Sequence, residues 1–257
     1  ICLGRPVVDW DLATSASVQT IQNIFRNTPQ YTLRHATVAI IIKGHAHEIT
    51  PFRGQTNSLD EDLKKRDLTI NAMALDPGTG QISDPHNGRE DLRNKIIRAV
   101  QNPRDRFRED PLRLLRAIRF AAQLNFKIHE KTFSAISTSA PLLSTVAPER
   151  IRGELLKILM VKKPSNSFNT LARTGLLKTF MPELLEGHLK RQNRYHRYTI
   201  LKHILETVDH VKPDPLLRVT ALLHDIAKPR IRKKIDGAWR FHGHEKASAL
   251  LAEEIMK

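Results

Sequence analysis

Apolar and polar positions change period along this chain. Residues 36–43, Ala36-Thr37-Val38-Ala39-Ile40-Ile41-Ile42-Lys43, form a nearly continuous β-branched run, the pattern of a buried strand. Gly44-His45 is a turn signal, so residues 46–53 should return as a neighbouring strand. Ser17–Phe25 reads as a short helix ahead of these strands. After about residue 90 the period becomes helical and stays so. It predicts helices over 110–124, 129–138, 147–161, 165–175, 198–211, 215–227 and 245–256. Pro141, Pro148, Pro164, Pro182 and Pro213 fall between these stretches or at their starts. The expected class is α+β: a small β-sheet head over 1–85, a helical neck and body over 86–190, and a second helical unit over 195–257. The seam of the last two falls near 190–197.

Composition adds a partner to this picture. The 257 residues can bury a substantial core and suit more than one domain. Lys and Arg number 42 against 27 Asp and Glu, and the resulting +15 is not confined to a tail. That fits a folded surface for a polyanion, although a generally basic soluble protein would show the same balance. Aromatic residues are only 5%, which argues against a stacking platform for single strands and for binding through phosphates and shape. A lone Cys2 allows neither an internal disulfide nor a thiolate metal site and suits a reducing cytoplasm. No apolar run approaches the roughly 20 residues needed to cross a bilayer. The text opens at Ile1 in mid-motif, so the chain is expected to be a piece of a longer one.

The most informative chemistry lies in Arg108-Glu109-Asp110-Pro111-Leu112-Arg113 and the helix that follows to Phe120. Pro111 suits a first helical turn, with acids at the positive end of the dipole. Asp110 and Arg113 are three apart, which would put them on one helix face. One offers acceptors and the other a rigid fork of donors. Such a pair can read the pairing edge of cytosine or adenine and would reject guanine and uracil. The same spacing would equally serve an ordinary ion pair on a solvated helix.

Four further strings precede that helix in order: Asp9-Trp10-Asp11; His47-Glu48-Ile49-Thr50-Pro51-Phe52-Arg53; Lys65-Arg66-Asp67 with Asn71; and Asp84-Pro85-His86-Asn87-Gly88-Arg89-Glu90-Asp91. Together they closely resemble the bacterial-type (class II) tRNA nucleotidyltransferase and poly(A) polymerase family, from the first residues to about 185. The resemblance implies that Asp9, Asp11 and Glu48 are catalytic carboxylates for Mg²⁺. It implies that Arg66, Asp67 and Asn71 contact the sugar and phosphates of the incoming nucleotide. Asp110 and Arg113 would select its base, with Arg116 and Arg119 continuing that helix, one of them toward phosphate or both simply solvated. Asp84, Gly88 and Asp91 match a hinge-like motif and read as structural. The partners implied are the tRNA acceptor arm and CTP, with ATP as well in CCA-adding members.

Two departures stand out. The family carries a Gly-Gly-x-Val-Arg-Asp element before Leu3-Gly4-Arg5, and the chain starts after it, so the piece alone is expected to be inactive. CCA-adding members also have a longer loop between the Glu48–Arg53 segment and Arg66-Asp67. Here only Gly54–Lys65 intervenes, and most of that matches the approach to the second motif. The deletion resembles enzymes that stop after two cytidines. Complete CCA addition and poly(A) synthesis remain alternatives, as does an RNA-binding protein with a decayed head.

Farther on, His203, His224-Asp225-Ile226-Ala227-Lys228-Pro229 and His242-Gly243-His244-Glu245 resemble the HD phosphohydrolase family. The implied ligands of a divalent metal are His203, His224, Asp225 and His244, with phosphomonoesters, cyclic nucleotides or RNA ends as substrates. A protein whose activity resides in this unit, with a head that only recruits RNA, is a further alternative.

Overall fold

The computed structural model of the chain describes residues 2–4, 10–33, 36–193 and 196–257. The chain folds as two compact units, one of residues 1–94 with 98–101 and the other of 95–97 with 102–257.

In the first unit the leading elements are β1 (Leu12–Thr14), α1 (Val18–Ile24), β2 (Gln30–Thr32), β3 (Val38–Ile42) and β4 (His45–Pro51). Among the described residues the strands form one sheet in the order β1-β4-β3-β2, with β1 parallel to β4 and the other pairs antiparallel. Val38, Ala39 and Ile40 are fully buried, which is why the run is β-branched and unbroken rather than alternating. Ile21 of α1 packs on Val38 and Ile40, with Phe25 and Ile49 against them. Ser17 starts that helix by accepting from the Thr20 amide at 3.1 Å. The turn falls one residue earlier than expected: Ile42 pairs with His45, and Lys43 and Gly44 both take positive φ. That is the two-residue loop whose twist matches the flanking strands.

The same unit continues with α2 (Leu59–Lys64), a 3₁₀ turn at Thr69–Asn71, a hairpin of β5 (Ala74–Leu75) with β6 (Ile82–Ser83), and α3 (Gly88–Asn94). Asp84 caps α3, accepting from the Gly88 amide at 2.6 Å and the Arg89 amide at 2.9 Å. A methyl group on Gly88 would collide with the Thr69 carbonyl oxygen, so only glycine lets the helix approach this closely. Asp91 is buried, accepts from the Thr69 hydroxyl at 2.7 Å and pairs with Arg98 at 3.0 Å. The Asp84–Asp91 motif therefore acts as a clamp within its own unit.

The second unit opens with β7 (Ile96–Ile97), α4 (Pro103–Glu109), α5 (Arg113–Leu124) and β8 (Lys127–Ile128), the two short strands pairing in parallel. It continues through α6 (Glu130–Ser139), α7 (Pro148–Leu159), α8 (Pro164–Arg173), α9 (Leu176–Phe180) and α10 (Pro182–Glu186). The last elements are α11 (Ile200–His210), α12 (Pro215–Leu223), α13 (Lys228–Ile231), β9 (Lys233–Ile235), β10 (Ala238–Arg240) and α14 (His244–Met256). Helices α4, α7, α8, α10 and α12 each carry proline in the first turn, where its missing amide costs no hydrogen bond.

The expectation of helix throughout the later chain needs correction. β9 and β10 form an antiparallel hairpin, closed by Asp236 and Gly237 at φ 49° and 77°. The stretch 110–124 is also not one helix, because α4 ends at Glu109 and α5 begins at Arg113. The later helices are tied to the earlier ones. Buried Arg218 of α12 donates to the Leu159 and Val161 carbonyls at the end of α7. Asp209 of α11 accepts from the Ser165 amide and hydroxyl at the start of α8. Both contacts satisfy backbone groups that helix ends leave open. Of the 190–197 seam, Arg194 and Tyr195 lie outside the described residues.

Candidate functional site

The head places two of its expected carboxylates side by side. Leu12 pairs with Ile49 in parallel register, so Asp11 and Glu48, each one residue earlier, stand at the same level of β1 and β4. Ile49 faces the Ile21–Val38–Ile40 core, and alternation sends Glu48 to the other face, where both acids are exposed. Asp9 lies outside the described residues. Two accessible carboxylates on adjacent strands suit a hard divalent cation, which takes oxygen ligands.

Arg66 reaches back from the end of α2 to buried Asp62, its Nε and Nη2 donating to Oδ2 at 3.0 and 2.7 Å. The other oxygen of Asp62 accepts from the Arg53 amide at 3.1 Å. Buried Asp67 accepts from Asn71 Nδ2 at 3.2 Å and from the Leu68 amide at 2.9 Å. Arg66 is thus fixed by Asp62, which the sequence reading did not single out, while Asp67 and Asn71 hold each other.

Asp110 sits between α4 and α5 with extended backbone, φ −148° and ψ 99°. Its Oδ1 accepts from the Leu112 amide at 3.2 Å and its carbonyl accepts from the Arg113 amide at 3.0 Å. It is an N-cap of the turn leading into α5 rather than a residue on a shared helix face with Arg113. The physical reason is local: Pro111 disfavours helical backbone in the residue before it. Asp110 Oδ2 pairs with Arg150 of α7 at 3.0 Å. Arg113 donates to Glu109 Oε2 at 3.0 Å and to the Arg106 carbonyl at 3.2 Å, and Arg106 pairs with the other oxygen of Glu109. Both base-selecting candidates are therefore held by fixed partners. Glu109 adjoins the motif, whereas nothing in the spacing points to Arg150.

Arg116 is half-buried, with its guanidinium carbon 5.5 Å from the centre of the Phe120 ring. Arg119, expected near a nucleotide or in solvent, is instead buried against Glu154 of α7 at 3.0 Å. Its position on α5 carries it inward, among Leu115, Ala117 and Ile118, and the chain supplies an equally buried acid to match it.

Among the described residues, one cluster could hold a metal ion: His203 of α11 with His224 and Asp225 after α12, their ligand atoms all within 4.8 Å of one another. The Nε2 atoms of His203 and His224 lie 3.2 and 3.1 Å from Asp225 Oδ2. His224 Nδ1 is taken by the Ala221 carbonyl at 2.8 Å, which turns Nε2 inward, the arrangement that orients metal-binding histidines. Lys228 Nζ sits 2.6 Å from the same Asp225 oxygen and 3.2 Å from Gln192 Oε1. His244 approaches the other oxygen, Oδ1, at 3.5 Å and stands outside the three-residue group.

Charge in this cluster is set by burial against pairing. Burial opposes the Asp225 carboxylate, but hydrogen bonds and charge from His224 and Lys228 outweigh it and hold the group well below the usual carboxylate range. Burial lowers the His203 pKa in spite of the Asp225 charge, which favours the neutral, metal-ligating form. For His224, burial is overcome by Asp225 and the Ala221 carbonyl, and the pKa rises. A buried anion between two imidazoles fits a divalent ion, with Lys228 a cation already at that position.

Exposed acids on paired strands, a capped link between helices and a histidine–aspartate cluster define a two-part class: a nucleotidyltransferase-type head joined to helices that end in an HD domain. Family comparison agrees. Residues 1–98 match the poly A polymerase head domain, 125–187 the "probable RNA and SrmB-binding site of polymerase A", and 195–257 the HD domain. The CCA-adding enzyme of Ligilactobacillus salivarius is 41% identical over 221 residues, covering 80% of this chain and 52% of that protein. The crystal structure of the Bacillus stearothermophilus CCA-adding enzyme in complex with CTP is 32% identical, with a TM-score of 0.68, covering 99% of this chain and 70% of that one. A tRNA nucleotidyltransferase complexed with a primer tRNA and an incoming ATP analogue is 25% identical, with a TM-score of 0.66, over 86% of this chain and 68% of that one. The chain belongs to the tRNA nucleotidyltransferase and poly(A) polymerase family. It spans about half the length of the curated relatives it matches.

Proposed function

We propose that the intact protein adds cytidines from CTP to the 3′ end of tRNA, releases pyrophosphate, and stops after two. Transfer is supported by the register that sets Asp11 beside Glu48. With Asp9 they would hold Mg²⁺, which when bound offsets triphosphate charge and activates the primer hydroxyl. Asp110 would accept from the cytosine amino group while Arg113 donates to the ring nitrogen and carbonyl. The basic helical unit would follow the acceptor arm by its phosphates.

The observation that favours two cytidines is the link from β4 to α2. It runs only from Phe52 to Ser58 and is tied down along its length. The Arg53 amide bonds Asp62, the Thr56 amide bonds Glu61 Oε2 at 2.8 Å, and Asn57 Nδ2 bonds the Ser15 carbonyl at 2.6 Å. A segment this short and this constrained has little freedom to reorient the base-reading pair for adenine. The relatives carry the name CCA-adding enzyme, and complete CCA addition fits the family equally well.

The test uses the full-length protein with tRNA lacking CCA, CTP and excess ATP, followed by sequencing of the 3′ ends. Ends at CC are expected. Efficient adenosine addition to a tRNA already ending in CC would overturn the two-cytidine reading and leave nucleotidyl transfer standing. In the HD unit we propose that His203, His224 and Asp225 hold a divalent ion and that the site acts on phosphate esters.

A further inference from the structure

Asp110 is steadied from helix α7, and α7 is itself held from its far end. Arg150 in its first turn pairs with Asp110, and Glu154, one turn on, pairs with Arg119 of α5. Four residues apart, the two side chains leave the same face of the helix. The Asp110–Arg150 pair is partly exposed, and such pairs carry little energy of their own. Arg150 therefore steadies Asp110 only as firmly as α7 is kept in place.

The last carbonyls of a helix have no partner within it. Here the Leu159 carbonyl, and that of Val161 just beyond, accept from Nη1 of buried Arg218 on α12. The start of α8 is held in the same way from α11: Asp209 accepts from the Ser165 amide at 2.9 Å on one oxygen and from the Ser165 hydroxyl at 2.6 Å on the other. Residues 159–165, the whole α7–α8 connection, are thus tied at both ends by side chains of the part that matches the HD domain. Packing follows the same order. Helix α5 lies against α7 and α8, while α8 lies against α11 and α7 against α12. At 1.5 Å per residue, the path from Leu159 back to Arg150 is about 14 Å. A tilt of about 4° at the braced end would move Arg150 by about 1 Å, enough to break a hydrogen bond to Asp110.

We infer that Asp209 and Arg218 are positioning residues for base selection. They brace the α7–α8 connection and, through α7, set where Arg150 holds Asp110. The inference rests on the reading of Asp110 and Arg113 as the base-reading pair. It gives α11 and α12 a part in nucleotide choice that requires no hydrolysis at the histidine–aspartate cluster.

The test measures cytidine and uridine incorporation separately on tRNA lacking CCA, using the full-length protein. The variants are Asp209→Ala, Asp209→Asn and Arg218→Met, with Arg230→Ala as a control. Arg230 ties α13 to α10 through Glu186 at 2.7 Å, outside the α7–α8 connection. A loss of folded protein lowers both rates in proportion and leaves the CTP/UTP ratio alone, whereas a displaced Asp110 lowers the ratio. The ratio should fall roughly twofold to thirtyfold in Asp209→Ala and Arg218→Met, the range for substitutions along a packed connection. It should recover in Asp209→Asn, whose side-chain oxygen still accepts from the Ser165 amide, and stay unchanged in Arg230→Ala. Asp209 is only half-buried, so its variants keep the test open should Arg218→Met fail to fold. An unchanged ratio in Asp209→Ala, a fall that Asp209→Asn does not relieve, or an equal fall in Arg230→Ala overturns the inference. Arg113→Ala run alongside separates the two readings. A ratio that changes there but not in Asp209→Ala sinks the brace alone, and a ratio unmoved by Arg113→Ala sinks the base-reading assignment beneath it.

Discussion

Asp110 serves the backbone with one oxygen and Arg150 with the other, while Arg113 is steadied by Glu109 and a carbonyl. Selection of a base by such a pair depends on holding donors and acceptors still, so that a wrong base leaves groups of one kind facing each other. Each unsatisfied buried group costs roughly 1–3 kcal/mol, about tenfold to hundredfold in discrimination. Arg113→Ala in the intact protein should therefore slow cytidine incorporation and also reduce its preference for CTP over UTP by about that factor. Primer extension with each nucleotide alone checks this. An unchanged CTP/UTP ratio would assign base selection elsewhere. The motif residues were legible in the sequence because their chemistry is local. Arg150 was not, because it comes 40 residues after Asp110 and meets it only through the packing of α7.

The α5–α7 contact is an arrangement of elements built around a buried charge pair. Arg119 and Glu154 are both nearly inaccessible and meet at 3.0 Å, with Lys157 at 3.6 Å from the second Glu154 oxygen. Removing one partner of such a pair leaves a charge in the interior, at a cost of roughly 3–5 kcal/mol. Glu154→Ala should lower the unfolding free energy by that amount in urea titrations. The double change Arg119→Met with Glu154→Leu should recover most of it, since apolar replacements of similar volume suit the site. If the double variant is as unstable as the single one, packing rather than charge holds these helices together. Most long helices and the β3–β4 pair were readable from period alone. Helix α4 and the β9–β10 hairpin were not, although Asp236-Gly237 is itself a recognised hairpin signal. The surrounding helical period masked it.

For the whole molecule, the excess of 15 positive charges is the handle by which the proposed RNA binding can be tested. Binding that neutralises several phosphates releases counterions, so affinity should fall at least tenfold between about 50 and 200 mM salt. Filter binding of the intact protein to several tRNAs across that range is the measurement. A flat response, or strong preference among tRNAs of the same fold, would mean that base contacts rather than phosphates and shape dominate. No helix among the described residues is long and apolar enough to cross a membrane.

Order and spacing of the motifs were enough to identify the family and the α+β class, because each motif is a short stretch whose residue types survive without their surroundings. Partnership was a different matter. The same arginine type lies exposed at one position of a helix and buried at another, and Arg119 could not be told from a solvated charge until α7 brought Glu154 beside it. Lys228 and His224 lie within three residues of Asp225 along the chain, whereas His203 reaches the same oxygen only because α11 folds against α12. Periodicity is a property of neighbours along the chain, whereas an ion pair, a cavity wall or a metal cluster needs groups that only folding brings within a few ångströms.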